Sequence, residues 1–267
     1  MKFLPRSSSS GMGAIRPMVL ALAATGCAST LDRGELERHV VGTGKPVVVF
    51  QSGLGDGLGV WSAVQAGLPR DITSIAFSRA GYGRSAARDG ERSPCVAAAE
   101  LRAGLRQAGL VPPYVLVGHS LGGLYQFAFA KLYPEEVAGI VLVEPTHPQH
   151  WSRMQQDAPA MALVVRTARM AAFSPTMRRE FDDQQHCLDG FDSRPSPHVP
   201  TRVLVRGRFG PPEVGAFERM SRHLWREWPT LLHVREVEPV EGTGHYVQKE
   251  RPAAVVDAIR WVVQPKR

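Results

Sequence analysis

The chain has 267 residues, 43% hydrophobic and 21% charged, enough for one large domain with a substantial core and unlike a disordered or fibrous composition. Its formal charge is +7, and Lys2, Arg6 and Arg16 account for three of those charges in an acid-free first stretch, leaving +4 on the rest. That surplus is spread along the chain rather than clustered, which speaks for a solvated basic surface and against nucleic-acid binding.

The N-terminus reads as a targeting segment. Basic residues come first, then Ser7 to Ser10, then an apolar run from Pro17 to Cys27. The apolar part, about ten residues, matches a secretory core and is too short to span a bilayer. Ala24-Thr25-Gly26-Cys27 resembles the lipobox of bacterial lipoproteins, which implies a lipid-modified Cys27 as the mature N-terminus and a membrane anchor there. Leu is more usual in that pattern where Ala24 stands. Ala28, in place of Asp, implies by the same resemblance an outer-membrane lipoprotein facing the periplasm. An ordinary cleaved signal, giving a periplasmic or secreted protein, is the alternative, and Met12 is a second candidate start. The expected division is a signal peptide over 1–26, a tether over 27–34, a core over 35–145 and 201–265, and a helical lid over 146–200. Cys95 and Cys187 remain, and an exported chain either pairs them or buries them as free thiols.

Glu35 to Val41 is the first expected strand, and Gly42-Thr43-Gly44 is turn chemistry. Pro46 to Phe50 is continuously apolar, as for a strand covered on both faces. It runs into Gln51-Ser52-Gly53-Leu54-Gly55-Asp56-Gly57. That spacing fits neither a dinucleotide fingerprint nor a phosphate loop with its Lys, so nucleotide binding is set aside. Glycines here let backbone N–H groups approach a ligand or an oxyanion. Val60 to Leu68 reads as helix, Ile72 to Phe77 as strand and Val96 to Ala108 as helix, closed by Gly109 and Pro112-Pro113.

Tyr114 to Val117 is a buried-strand pattern. It meets Gly118-His119-Ser120-Leu121-Gly122-Gly123, and a helix is expected from Leu124 to Leu132. A strand, a sharp turn and a helix put Ser120 at the apex, above the sheet and at the positive end of the helix. Gly118 and Gly122 are required because a Cβ at either would clash where strand and helix pack around the turn. Ala138 to Val143 and Thr201 to Val205 are further strands, Glu213 to Trp225 a helix, and Leu231 to Val237 a last strand. After the loop at Gly242 to Tyr246, the final helix has Pro252 in its first turn. Strands alternating with helices at this pitch predict an α/β fold with a doubly wound, mostly parallel sheet. About 55 residues separate Val143 from Thr201, too many for a bare loop. Met161 to Phe173 is amphipathic, and Ser174-Pro175 is a cap and first position for a helix running towards Cys187. A helical lid over the carboxyl ends of the strands accounts for the segment.

Together, Val49 to Gly55, Ser78-Arg79-Ala80-Gly81-Tyr82-Gly83-Arg84-Ser85, Gly118 to Gly123 and Gly244-His245 resemble the α/β-hydrolases over about residues 35–265. In that family's count the lid follows the sixth strand. Two positions depart from the pattern: Ser52-Gly53 stands where the family has His-Gly, and Ser78 where it has Asp.

A serine hydroxyl needs an adjacent base. Of nine histidines, His245 has the right place, after the last strand in a glycine loop, and the nucleophile–acid–His order implied by the resemblance also asks for a late His. His119 is expected to pack or to line the substrate. His147-x-x-His150, without a matched acid or Cys pair, reads as a solvated lid segment rather than a metal site. The resemblance places the acid after Val205, where no carboxylate occurs before Glu213, or after the preceding strand, where Glu144 stands. Glu144 at a strand end suits the holding of an imidazole; Glu213, another acid, or no acid at all are the alternatives. Leu121 N–H, next after the nucleophile, and Leu54 N–H, placed by the resemblance, would form the oxyanion hole.

The expectation is a serine hydrolase of an ester or related acyl bond acting on a small-molecule acyl substrate, with no metal or organic cofactor required. Met154, Met161, Leu163, Val164, Val165, Met170 and Phe173 either wall an acyl pocket or form the lid's own core. A C–C or thioester hydrolase or a perhydrolase would use the same three residues. A ligand-binding surface lipoprotein without catalysis is the reading from another class.

Overall fold

The computed structural model describes residue 1, residues 35–191 and residues 193–264. The leader beyond Met1, the tether and Cys27 lie outside those residues. In chain order the elements are β1 (Arg38–Val41), β2 (Val47–Gln51), α1 (Ser62–Gly67), β3 (Thr73–Phe77), α2 (Pro94–Gln107), β4 (Tyr114–His119), α3 (Leu121–Leu132) and β5 (Val137–Val143). Then come α4 (His150–Asp157), α5 (Pro159–Ala171), α6 (Pro175–Asp182), β6 (Thr201–Arg206), α7 (Ala216–Trp225), α8 (Trp228–Leu232), β7 (Glu238–Val240), α9 (Val247–Glu250) and α10 (Pro252–Val263).

The seven strands form one sheet in the order β1-β3-β2-β4-β5-β6-β7. Only β1 is antiparallel, with Arg38 opposite Phe77, and β2 through β7 run parallel. β2, β3 and β4 are buried throughout, as parallel strands covered on both faces must be. Alternate residues of a strand serve opposite cores. Val49, Leu116 and Leu142 pack with α2 and α3, while Val48, Phe50, Val117 and Val141 pack with α1 and α10.

One expected strand is not one. Leu231 and Leu232 belong to α8, whose second residue is Pro229 and which ends at His233 with φ 54°. The apolar pattern of Leu231 to Val237 reflects burial of Leu232 against the core, and the strand begins only at Glu238. Pro239 lies within β7, and because β7 is an edge strand its missing N–H breaks no ladder.

Between β5 and β6 stand α4, α5 and α6. Ser174 caps α6, accepting from Met177 N–H. Met154, Ala158 and Ala162 of this segment bury against Met220 and Leu224 of α7 as a separate cluster, so the insertion shares a small core with α7. Cys95, at the start of α2, forms a disulfide with Cys187, just beyond α6.

Candidate active site

β4 and α3 are joined by a single residue. Ser120 has φ 51° and ψ −123°, a conformation that costs a non-glycine residue about 1–3 kcal/mol and is kept where function requires it. The packing that enforces it is tight. A Cβ on Gly118 would lie 2.4 Å from Gly122 O, and one on Gly122 would lie 2.4 Å from both Gln51 O and Ser52 O. Below about 3 Å such contacts are impossible, so both glycines are needed for the strand, the turn and the loop after β2 to meet. Ser120 is only partly covered and opens into a cavity of about 320 Å³.

The loop after β2 presses on the nucleophile. A Cβ on Gly53 would stand 3.2 Å from Ser120 Cβ and 3.1 Å from His119 Nδ1. Leu54 and Leu121 both line the cavity. Leu121 opens α3, and the first N–H groups of a helix have no partner inside it and sit at its positive end.

Glu144 comes directly after β5 with φ 50°, a second left-handed non-glycine residue beside the first. Its N–H donates to Leu204 O at 2.7 Å, fixing the turn, and the residue is 7% exposed. Burial pushes its pKa up, against the pull of Arg206. His245 also lines the cavity. Burial, then His119, Arg206 and His150, hold its pKa well below the usual imidazole value, so the ring is neutral at neutral pH.

The structure thus gathers Ser120, Leu121, Leu54, Glu144, Glu213 and His245 around one cavity. It does not join Glu144 to His245 directly. Arg206, at the end of β6, stands between them. Its backbone N–H donates to Glu144 Oε2 at 2.5 Å and its Nε lies 3.2 Å from the same oxygen. Its Nη1 donates to Glu213 Oε2 at 2.7 Å, and its Nη2 lies 2.7 Å from His245 Nδ1. A guanidinium has only donors, so His245 Nδ1 accepts and the ring proton sits on Nε2. Reading the sequence after β6 for a carboxylate alone passes over Arg206. Its signal is a cation at a strand end between two candidate acids.

Other histidines surround the site. His119 is fully buried, its Nε2 lies 2.9 Å from His245 O, and its ring packs on His245 and Tyr246. Burial lowers its pKa to about 4. His147 is not the solvated residue expected. It is 4% exposed, lies 3.3 Å from Glu227 and packs on Trp228. His150 packs on Phe217 and lines the cavity. The apolar residues of the segment between β5 and β6 divide: Met154, Met161, Val165 and Phe173 line the cavity, whereas Leu163, Val164 and Met170 are exposed.

Comparison with known proteins agrees with this architecture. A family model described as alpha/beta hydrolase fold matches residues 46–231. A putative carbamate hydrolase RutD of Klebsiella pneumoniae is 38% identical over 101 residues, covering 38% of each chain, so the match spans well under half of that relative's length. Among solved structures, a thermophilic esterase from Thermogutta terrifontis aligns at a TM-score of 0.61 with 21% identity, over 84% of this chain and 91% of that one. A monoacylglycerol lipase of Paleococcus ferrophilus aligns at 0.58 with 19% identity, over 85% and 99%. At such identities these two structures speak for the fold alone. With the family model covering more than half of the residues, the chain belongs to the alpha/beta hydrolase fold family.

Proposed function

We propose that this protein is a serine hydrolase cleaving a carboxylic ester or related acyl bond through Ser120, His245 and Glu144. One observation carries the reading: Ser120 is held at positive φ on the elbow, opening into a cavity shared with His245 and against the loop that bears Leu54. Ser120 Oγ attacks the acyl carbon and His245 Nε2 takes its proton. The N–H groups of Leu54 and Leu121 receive the oxyanion, at about 3 kcal/mol each. His245 then protonates the leaving alkoxide, and water, activated by the same ring, releases the acid from Ser120. Met161, Val165 and Phe173 give the cavity an apolar wall suited to an acyl chain.

For Nε2 to accept a proton, Nδ1 must carry one, and the donor Arg206 Nη2 must give way there to Glu144. Glu213 offers the guanidinium its second anchor, so the side chain has a counter-ion throughout the exchange. Relatives named as a carbamate hydrolase and a lipase fit acyl transfer to water in general and do not fix the leaving atom. The test is a fluorophosphonate probe on the purified chain. Stoichiometric labelling at Ser120, lost in Ser120→Ala, is the expected result; no labelling, or equal labelling of the variant, would overturn the reading. An ester panel of graded acyl length then measures what the apolar wall accepts.

A further inference from the structure

Arg79 lies just beyond β3 and is 2% exposed; Glu180 lies on α6 and is fully buried. The two meet in a bidentate pair, Arg79 Nε to Oε1 at 2.8 Å and Nη2 to Oε2 at 2.9 Å. The rest of the guanidinium faces the loop after β2. Nη1 donates to Ser52 O at 2.6 Å and Nη2 to Gly53 O at 3.0 Å. Gly53 C=O and Leu54 N–H belong to the same peptide unit. In a trans peptide these two groups point in opposite directions, so a cation that fixes the carbonyl also fixes where the N–H points. The N–H then points away from Arg79. A hydrogen bond to the carbonyl from a charged donor also polarises the peptide and strengthens its N–H as a donor.

The same carboxylate holds the next part of the loop. Tyr82 Oη donates to Glu180 Oε2 at 2.8 Å and accepts Gly55 N–H at 3.3 Å. Arg92, the other cation near Glu180, is paired at 2.8 Å with Glu100, which leaves Glu180 as the partner that neutralises Arg79. The inserted segment thus reaches the oxyanion loop through one carboxylate.

We propose that Arg79 and Glu180 are positioning residues for the Leu54 oxyanion donor, so that α6 sets the competence of the oxyanion hole. This rests on the serine hydrolase reading. A purely structural ion pair would affect stability and the folded fraction. A positioning pair affects transition-state binding in molecules that are folded, and leaves ground-state binding alone.

The experiment compares wild type, Glu180→Gln, Arg79→Lys and Tyr82→Phe with p-nitrophenyl esters and with a trifluoromethyl ketone, which forms an oxyanion on Ser120. Rates are normalised by active-site titration. Glu180→Gln and Arg79→Lys are expected to lose on the order of 10- to 100-fold in kcat and, in parallel, in ketone affinity, with KM within about twofold. Tyr82→Phe leaves the ion pair in place and is expected to lose severalfold on both measures; it decides the matter if the charge variants do not fold. Wild-type kcat and ketone affinity per titrated site, whatever the melting temperature, would overturn the proposal. A wild type that fluorophosphonate does not label at Ser120 would instead overturn the hydrolase reading, and this role with it.

Discussion

Arg206 lies between two candidate acids. Its guanidinium reaches Glu144, Glu213 and His245 at once, but the two carboxylates differ in surroundings. Glu144 is 7% exposed on a strained turn beside the elbow, whereas the Glu213 side chain is 33% exposed. A buried carboxylate that takes Nδ1–H fixes the imidazole tautomer and stabilises the imidazolium, and its amide replacement favours the wrong tautomer. Glu144→Gln is therefore expected to lower kcat by about three to four orders of magnitude. Glu213→Gln removes only the outer anchor of Arg206 and is expected to cost less than about tenfold. Steady-state rates of the two variants on one ester check this, and the reverse ranking would move the acid to Glu213. That Ser120 and His245 would meet at one cavity could be read from sequence, because a glycine-bounded turn and a glycine loop have few other uses at those points of the chain. The Arg206 contact could not, since the distance across β6 and β7 that brings it to His245 is a tertiary fact with no local pattern.

At the scale of elements, most of the sheet was legible and the edge was not. Central strands such as β2 and β4 are buried on both faces, and their apolar runs have no other explanation. β7 is a three-residue edge strand of Glu-Pro-Val, which carries no strand pattern, and the apolar stretch before it belongs to α8. The inserted helices were visible through length and through the Ser174 cap, but not the bond that holds them. The Cys95–Cys187 disulfide closes a loop with a separation of 92 residues, tying the end of α6 to the start of α2. Such bridges persist in oxidising compartments. A loop of this length implies about 4–5 kcal/mol of stabilisation, mainly through the unfolded chain. Cys187→Ser is expected to lower the unfolding free energy in urea by that amount with a larger m-value, because the unlinked denatured chain exposes more surface, and to make residues 146–200 the first to be cut by protease. An unchanged midpoint would show that the packing of α4 and α5 on α7 holds the insertion without the bridge.

The whole molecule brings several buried ionisable groups to one end of the sheet. Parallel strands end on the same side, so the loops leaving Gln51, His119, Val143 and Arg206 all converge on the cavity. The consequence is a concentration of neutral imidazoles. Burial holds His119 and His150 at about 4 and His147 at about 3, and holds His245 well below its ordinary value. In the unfolded chain each would bind a proton near pH 6.5. Below that pH the unfolded state therefore binds more protons than the folded one, and stability falls as pH falls. The loss begins near 6.5 and continues until the folded pKa is reached; above 6.5 these rings contribute no slope. Glu144 and Asp56, whose pKa values burial raises, act in the opposite sense and recover part of it. Each fully buried imidazole contributes a slope of about 1.4 kcal/mol per pH unit within its window. For His119 and His147 together this is roughly 2–3 kcal/mol between pH 6 and pH 5, a large share of the 5–15 kcal/mol typical of a domain. The melting temperature is accordingly expected to be flat from pH 8 to 7 and to drop steeply from 6.5 to 4.5. His147→Gln, which removes one such ring at a position outside the proposed triad, is expected to make the drop shallower by about one proton. Scanning calorimetry across that range measures both, and a variant whose slope equals that of wild type would show that His147 is protonated in the folded chain.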